Sequence, residues 1–316
     1  MTPVESARWL TERDNILIIT HRRPDGDTIG CAAALCIALR RAGKQAYVLY
    51  NPETTPVNRT YVELFWAPDD FAPDAVVTMD IAAKSLFPDN AEPYLDRVDL
   101  AIDHHPSQEF FAENTCLDAS CAACGEIVYE VCLELGEITQ AIAVPLYMAI
   151  ATDTGCFIYA NTTAKTHVIA AELLKTGIDF AAIHKRHFRS KSRRRVLLEA
   201  EMLVNPEFFL DDRGVFLFAP LSLTERLGVT EDDTDDLPSL ANQFQGLDCA
   251  VTLREIKENQ WKVSLRTGTD GRVNANWACA LLGGGGHAMA AGAVLEGGLE
   301  EVKAKVRDAI EQVRAY

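Results

Sequence analysis

The chain has 316 residues, of which 48% are hydrophobic and 24% charged, a balance typical of a globular protein rather than a disordered one. Its formal net charge of −16 argues against binding of long nucleic acid by bulk electrostatics. No apolar run reaches the ~20 residues of a membrane-spanning helix, and the polar N-terminus has no secretory signal. We therefore expect a cytoplasmic protein with no membrane partner, and its length favours two domains.

The first 20 residues predict a capped helix followed by a buried strand. Thr2 is the expected N-cap, with Pro3 at the first helical position and Glu5 closing a capping box. The β-branched run from residue 16 to 20 is typical of a strand that is buried on both faces.

An imidazole and two carboxylates follow that strand, at His21, Asp25 and Asp27. The carboxyl ends of strands are where open α/β sheets bind ligands. Carboxylate oxygens and neutral imidazoles suit Mn²⁺, Mg²⁺ or Zn²⁺. For this segment alone, the alternative is a polar turn in which Pro24, Asp25 and Gly26 reverse the chain.

Strands and helices then alternate up to about residue 190. The pattern predicts strands at 45–50, 75–79 and 99–102, and helices at 29–41, 121–135, 141–151, 163–175 and 179–188. Such alternation is typical of an α/β fold, in which a mostly parallel sheet carries helices on both faces.

Further acidic and imidazole side chains follow these elements. Asp80 follows the third strand, Asp103-His104-His105 follows the fourth, and Asp153 ends a helix. Because the carboxyl ends of parallel strands share one edge, we expect six side chains to converge: His21, Asp25, Asp27, Asp80, His104 and Asp153. Alternatively, Asp80 caps a helix and Asp153 is a turn residue. Asp103 is expected to orient an imidazole rather than to bind metal.

Charge balance predicts how many cations such a site would hold. Four ionised carboxylates carry a charge of about −4, and packing them together without cations is strongly unfavourable. One divalent cation would leave a negative site that repels phosphate, whereas two cancel the charge. The sequence therefore favours two divalent metals.

The pattern changes after a basic stretch, residues 185–195, which contains seven Lys or Arg. It opens a helix at 192–203 that we interpret as a connector. The Lys and Arg side chains of this basic stretch either form a solvated helix face or contact the backbone of a bound substrate. Two hairpins (207–219 and 248–266), a helix at 274–282, a glycine loop and a final helix at 299–316 then predict a smaller α+β domain.

The remaining cysteines and histidines have simpler interpretations. The nine cysteines are an odd number among apolar neighbours, which favours reduced thiols. Cys121 and Cys124 form a C-x-x-C pair without the second pair that a structural zinc site needs, so we expect small buried side chains. His167 and His184 are expected in surface or packing roles, and His187 on the polar surface.

Five motifs together resemble the DHH–DHHA1 phosphoesterases, closest to the nanoRNase/pAp-phosphatase branch. They are His21-x-x-Pro24-Asp25-Gly26-Asp27, Asp80 after a strand, Asp103-His104-His105, Asp153-Thr154-Gly155 and Gly283-Gly284-Gly285-Gly286-His287. The resemblance spans residue 16 to the end. It implies a metal-binding DHH domain at 1–190, a helical connector at 191–205 and a DHHA1 substrate-binding domain at 206–316.

The resemblance also implies roles for individual residues. One Mn²⁺ (or Mg²⁺) would be held by His21, Asp25 and Asp80. The other would be held by Asp27, Asp80, His104 and Asp153, so that Asp80 bridges. His105 would lie beside the scissile phosphate and act with Asp80 in catalysis. Arg266, Gly284, Gly285, Gly286 and His287 would bind the nucleotide. The chain departs from the family where Cys31 replaces a frequent serine and where Cys156 to Tyr159 lack a basic residue.

The implied activity is metal-dependent hydrolysis of short oligoribonucleotides, including dinucleotides such as pApA, and removal of the 3′-phosphate of 3′-phosphoadenosine 5′-phosphate (pAp). The alternatives are a single-strand-specific exonuclease of the same superfamily and a non-catalytic nucleotide sensor. Long duplex nucleic acid is not an expected partner, and a homodimer is left open.

Overall fold

The computed structural model describes residues 1–234, 237–268 and 272–314, without the side chain of residue 242. The chain divides into two compact units, Met1–Ser190 and Lys191–Tyr316. Within the described residues, every helix is too short or too polar to cross a lipid bilayer.

The first unit contains a five-stranded, fully parallel sheet in the order β2-β1-β3-β4-β5. Its strands are β1 (Ile16–Thr20), β2 (Ala46–Val48), β3 (Ala75–Met79), β4 (Leu100–Asp103) and β5 (Asn114–Leu117). The predicted parallel α/β sheet is thus confirmed. The edge strand β5 was not predicted, because three of its four side chains are partly exposed and it lacks the apolar run of a central strand.

The helices of this unit are α1 (Pro3–Thr11), α2 (Gly26–Arg41), α3 (Pro56–Val62), α4 (Cys124–Leu135), α5 (Gln140–Asp153), α6 (Ala164–Lys175) and α7 (Phe180–His184). The predicted capping box of α1 is present: the Thr2 hydroxyl accepts the Glu5 N–H at 3.2 Å, and the Glu5 carboxylate accepts the Thr2 N–H at 2.7 Å.

Alternating side chains of β1 divide the core into two layers. Ile16 and Ile18 pack into the large cluster formed by α1, α2, α4 and α5. Leu17 and Ile19 pack on the other face, which short 3₁₀-helical segments such as Asp89–Tyr94 cover. Helical structure therefore lies on both faces, as predicted, although the second face carries only short turns.

Two glycines of α2 allow an unusually close approach to α5. A Cβ atom on Gly30 would lie 2.3 Å from the carbonyl oxygen of Pro145, and one on Gly26 would lie 2.3 Å from Oγ1 of Thr152. Neither distance is compatible with a side chain. The contact brings the first turn of α2 to the last turn of α5, where Asp153 is located.

The second unit contains a six-stranded mixed sheet in the order β10-β11-β9-β8-β7-β6. Its strands are β6 (Glu207–Phe209), β7 (Gly214–Ala219), β8 (Cys249–Lys257), β9 (Gln260–Thr267), β10 (Gly285–Gly286) and β11 (Ala290–Glu296). Both predicted hairpins, β6–β7 and β8–β9, are confirmed. The intervening pair β7–β8 is parallel.

Helices cover both faces of this second sheet. They are α8 (Arg193–Val204), α9 (Leu221–Leu227), α10 (Ala275–Leu281) and α11 (Leu299–Val313). Side chains of α10 and α11 pack with one core layer and those of α8 with the other. The predicted last helix thus ends at Val313, and residues 315 and 316 lie outside the described residues.

The basic stretch is only partly solvated. Arg195 is buried, and its guanidinium contacts the carboxylate of Glu199 and the main-chain oxygen of Asp233. Arg194 pairs with the Asp233 carboxylate at 3.0 Å. The interpretation of a solvated helix face is therefore wrong for Arg195, because its partner Asp233 lies 38 residues away and the local pattern does not show it.

All nine cysteines are free thiols, and eight of them are buried. Cys121 and Cys124 are among the buried ones, as predicted for small side chains in a packed interior. Cys156 alone is partly exposed.

Candidate metal centre

The predicted ligands lie at the carboxyl edge of the first sheet. His21 directly follows β1 and Asp80 directly follows β3, and these two strands are neighbours. In the sheet, β2 lies on one side of β1 and β3 on the other, so the order of the strands reverses at β1. This reversal is the point at which doubly wound sheets open a crevice for ligands.

One group of ligand atoms comes from His21, Asp25 and Asp80, and its atoms all lie within 4.8 Å of one another. The His21 Nδ1 atom is 2.7 Å from the carbonyl oxygen of Arg22, to which it can donate its proton. Its Nε2 atom then faces Asp25 Oδ1 at 3.5 Å and Asp80 Oδ2 at 4.0 Å. Asp25 also caps α2, accepting the main-chain N–H of Asp27 at 3.0 Å.

A second group comes from Asp27, His104 and Asp153. The His104 Nδ1 atom is 3.1 Å from the carbonyl oxygen of Cys121. Its Nε2 atom lies 3.5 Å from Asp80 Oδ1, 3.7 Å from Asp153 Oδ2 and 4.0 Å from Asp27 Oδ2. Because Asp80 is close to both histidines, it lies between the two groups.

The first turn of α4 holds the Asp27 carboxylate. Asp27 is buried, and its two oxygens accept the main-chain N–H groups of Cys124 at 2.7 Å and Gly125 at 2.9 Å. The thiol of Cys31 donates to the same carboxylate at 3.3 Å. The positive end of the helix dipole stabilises this negative charge. The sequence motifs gave no sign of these main-chain donors.

Asp80 combines three features that fit it to a cation. The residue is 3% exposed, its φ of +59° is left-handed, and its buried Oδ1 atom has no well-aligned hydrogen bond from a described residue, although the His105 Nδ1 atom lies 3.3 Å away. Unpaired buried oxygens and left-handed residues are uncommon outside functional sites. With the Nε2 atoms of His21 and His104 facing the same carboxylate, the donor set fits divalent cations.

Burial, together with the neighbouring carboxylates, raises the pKa of two of the four carboxyl groups. Burial and the charges of Asp80, Asp153 and Asp25 hold the pKa of Asp27 well above its usual range. Burial, partly opposed by His104, raises the pKa of Asp153 to about 6. Burial works against protonation of His21, but its hydrogen bond and charge contact with Asp25 prevail and raise its pKa to about 9. Added positive charge at the centre would therefore favour the ionised forms of Asp27 and Asp153.

Asp103 orients His105, as predicted. Asp103 is fully buried and accepts the main-chain N–H groups of His104 and His105, the His105 Nδ1–H at 2.8 Å and the Gln108 amide at 2.6 Å. The hydrogen bond of His105 to Asp103 and then its 3.3 Å contact with the Asp80 carboxylate raise its pKa to about 11. With Nδ1 engaged, its Nε2 atom is the one left for a substrate.

The predicted nucleotide-binding residues lie together in the second unit. Arg266 pairs with Ala290 across β9 and β11, next to the exposed glycine loop and His287. A Cβ atom on Gly284 would lie 2.1 Å from the carbonyl oxygen of Gly292, and Gly286 has a φ of +151°. Close contact with β11 therefore requires these two glycines. This structural reason adds to the role in nucleotide binding that the family resemblance implies for them.

The other histidines have packing roles in the first unit. His184 Nε2 is 3.0 Å from the Tyr147 hydroxyl, and the His167 ring stacks on Phe157. The prediction that His187 is merely polar surface is wrong. Its ring is half-buried, and its Nε2 atom is 3.0 Å from the hydroxyl of Tyr61. Burial, assisted by Arg186, lowers the pKa of His187 to about 4.

Comparisons with known proteins agree with this arrangement. Residues 15–150 match the DHH family, N-terminal domain, and residues 223–315 match the DHHA1 domain. The bifunctional oligoribonuclease and PAP phosphatase NrnA of Thermus thermophilus is 33% identical, over 94% of this chain and 89% of its own length. The protein of the same name from Mycoplasma pneumoniae is 25% identical, over 98% of this chain and 96% of its own.

The fold also has a close match among solved structures. An exopolyphosphatase-related protein from Bacteroides fragilis superposes with a TM-score of 0.85 at 23% identity, covering 98% of this chain and 96% of that chain. This likeness supports the two-unit fold, and the sequence matches confirm the resemblance drawn from the five motifs. The chain therefore belongs to the DHH family, with the DHH domain in its first unit and a DHHA1 domain in its second.

Proposed function

We propose that this protein is a cation-dependent phosphoesterase that hydrolyses short oligoribonucleotides to mononucleotides and removes the 3′-phosphate of pAp. The observation that carries the proposal is the buried Asp80 carboxylate, which belongs to the first ligand group and lies 3.5 Å from the His104 Nε2 atom of the second. The names of the relatives, oligoribonuclease and PAP phosphatase, support the choice of substrates.

His21, Asp25 and Asp80 would hold one cation, and Asp27, Asp80, His104 and Asp153 the other. The mixed oxygen and imidazole donors favour Mn²⁺, with Mg²⁺ as the second choice. When bound, two such cations supply Lewis acidity at the phosphoryl oxygens and lower the pKa of a nucleophilic water. The protein contributes the geometry, since main-chain carbonyls fix both ligand imidazoles through their Nδ1 atoms.

His105 would act on the phosphate itself. Its Nδ1–H is held by Asp103, and its side chain is 41% exposed, so its Nε2–H can reach a bound substrate. A protonated imidazole there would donate a hydrogen bond to a phosphoryl oxygen or a proton to the leaving oxygen. No covalent intermediate on the protein is needed.

The second unit would bind the nucleotide. Arg266 supplies a guanidinium next to the exposed glycine loop, whose main-chain N–H groups are accessible because no Cβ atoms cover them. The net charge of −16 disfavours long nucleic acid, which suits a substrate of a few nucleotides.

The activity is tested with a 5′-labelled RNA dinucleotide and with pAp in parallel, each with Mn²⁺ and with EDTA. We expect Mn²⁺-dependent release of mononucleotide from the dinucleotide and of phosphate from pAp. Release from only one would narrow the substrate range. If a protein with bound Mn²⁺ turns over neither, the proposal is wrong.

Replacement of the shared carboxylate tests the centre directly. Asp80→Asn keeps a residue type that tolerates a left-handed φ, so the fold should persist. We expect kcat to fall by at least about 10³-fold, equivalent to about 4 kcal/mol of lost transition-state stabilisation. Asp89→Asn is the matched control, because that side chain is 99% exposed. Activity of Asp80→Asn near that of the control, at saturating Mn²⁺, contradicts the assignment.

A further inference from the structure

One short segment, residues 121–125, holds two members of the second ligand group. The carbonyl oxygen of Cys121 fixes the His104 imidazole, and the N–H groups of Cys124 and Gly125 fix the Asp27 carboxylate. The third member, Asp153, lies at the end of α5, on a separate part of the chain. The packing of α2 on α5 brings Asp153 close to Asp27, and a further contact ties the main chain of Asp153 to the 121–125 segment.

Asn161 makes that contact. Its Nδ2 atom donates one hydrogen bond to the carbonyl oxygen of Ala122 at 3.0 Å and another to the carbonyl oxygen of Asp153 at 3.1 Å. Ala122 belongs to the segment that holds His104 and Asp27. A single amide group therefore joins the two parts of the chain that carry the ligand group.

Asparagine is well suited to this position. Its NH₂ group carries two hydrogens on one nitrogen and can serve two carbonyl oxygens at once, whereas an aspartate carboxylate of the same size has none to give. Because both partners are carbonyl oxygens, which only accept hydrogen bonds, the NH₂ end of the Asn161 amide must face them.

The chain between Asp153 and Asn161 has a strained backbone, which the hydrogen bonds of the Asn161 amide help to stabilise. Gly155, Cys156 and Phe157 have consecutive φ values of +55°, +62° and +66°. Left-handed non-glycine residues are unfavourable and persist only where the surroundings impose them. Without the contact to Asn161, this turn could relax and carry Asp153 away from His104.

We propose that Asn161 is a positioning residue for the second cation, acting by fixing Asp153 relative to His104 and Asp27. The inference rests on the proposed cation-dependent function. It adds a residue outside all five sequence motifs to the parts that build the centre.

The test compares Asn161→Ala and Asn161→Asp with the wild type by calorimetric titration of Mn²⁺. We expect one of the two Mn²⁺ equivalents to bind about 10- to 100-fold more weakly in both variants, the usual effect of removing a residue that orients a metal ligand. The other equivalent keeps its affinity. In turnover assays, kcat at low Mn²⁺ falls and recovers as Mn²⁺ is raised, while the KM for pAp is unchanged.

Asn114→Ala provides the matched control. Asn114 donates a hydrogen bond to the carbonyl oxygen of Asp99 at 3.1 Å, in the same unit but outside both ligand groups. Its loss should leave both Mn²⁺ affinities intact. Unfolding temperatures in EDTA show whether each variant folds without cations.

Two results would overturn the inference. One is an unchanged affinity for both equivalents in the Asn161 variants. The other is loss of both equivalents together, with an unfolding temperature in EDTA well below that of Asn114→Ala, which means a general structural role. A wild type that binds two Mn²⁺ but turns over neither substrate contradicts only the proposed function, since the titration still decides the role of Asn161.

Discussion

The three imidazoles of the centre differ in what holds their Nδ1 atoms. Main-chain carbonyl oxygens hold those of His21 and His104, which leaves the Nε2 atom of each ring to face the carboxylates, where a bound cation would take the place of its proton. A carboxylate, Asp103, holds that of His105, which favours the protonated ring. The hydrogen-bond acceptor behind each ring thus distinguishes the two proposed ligands from the proposed proton donor.

A fourth imidazole provides a test of stability against pH. Burial lowers the pKa of His187 to about 4, below its ordinary value of 6.5. Between those values the unfolded chain binds more protons than the folded one, so the free energy of unfolding falls as the solution is acidified. The contribution of His187 is fully present above pH 6.5 and is lost as the pH approaches 4.

We expect this loss to be about 1 kcal/mol between pH 7 and pH 5, after allowance for the partial exposure of the ring. Urea unfolding of wild type and His187→Asn at both pH values, in EDTA, measures it. The variant should lose less stability on acidification than the wild type by that amount. His287→Gln is the control, because the ring of His287 is exposed. The prediction is contradicted if the free energy of unfolding changes with pH as much in His187→Asn as in this control.

Helix α2 serves the centre with both its first turn and its packing face. Asp25 caps it and Asp27 lies in its first turn, so helix formation fixes the spacing of two ligands. Gly26 and Gly30 let it approach α5, which ends in Asp153. The same element therefore sets ligand positions and brings a ligand of another helix close.

Gly30→Ala tests this helix contact. Alanine favours a helix over glycine by about 1 kcal/mol, but its Cβ atom would lie 2.3 Å from the Pro145 carbonyl oxygen, part of a main chain that cannot rotate away. Overpacking of this kind costs about 1–3 kcal/mol or more. We expect net destabilisation in chemical unfolding, together with weaker Mn²⁺ binding.

Gly285→Ala is the matched control for stability. The nearest atom to its added Cβ would be 3.7 Å away, an ordinary contact. If Gly30→Ala is as stable as this control, the close approach of α2 and α5 is not a constraint on the fold.

The sequence predicted those features that a local pattern carries. Apolar runs that end in Asp80 or in Asp103-His104-His105 showed the strands and the side chains at their ends, and the parallel order brought them to one edge. Asn161, Gly30 and the N–H groups of Cys124 and Gly125 were not predicted. Their roles depend on which distant segments pack together, and nothing in their own neighbourhood encodes that.

At the scale of the whole molecule, the acidic charge and the centre act together. The chain carries a formal charge of −16, and four carboxylates gather at one edge of the first sheet. Cations that bind only the folded state stabilise it by mass action, by about 2.7 kcal/mol at a free concentration of 100 times the dissociation constant. Binding of the proposed cations would therefore stabilise the first unit.

Removal of metal should accordingly lower the unfolding temperature. For a unit of this size, 2.7 kcal/mol corresponds to about 5–10 °C. Differential scanning calorimetry in Mn²⁺ and in EDTA measures the difference for wild type and for Asp80→Asn. We expect Mn²⁺ to raise the unfolding temperature of Asp80→Asn far less than that of the wild type. An equal increase in both proteins would mean that Mn²⁺ binds elsewhere.

The ligand groups draw on residues from His21 to Asp153, and the contact that joins them ends at Asn161. During synthesis at about 5–20 residues per second, some 140 residues separate the first ligand from Asn161, a delay of roughly 7–28 s. The group of His21, Asp25 and Asp80 is complete once residue 80 is made, whereas the group of Asp27, His104 and Asp153 waits for residue 153 and for the Asn161 contact. If the two groups hold cations as proposed, the first site can form well before the second, and an early ligand group that is complete on its own would be open to a competing ion during synthesis.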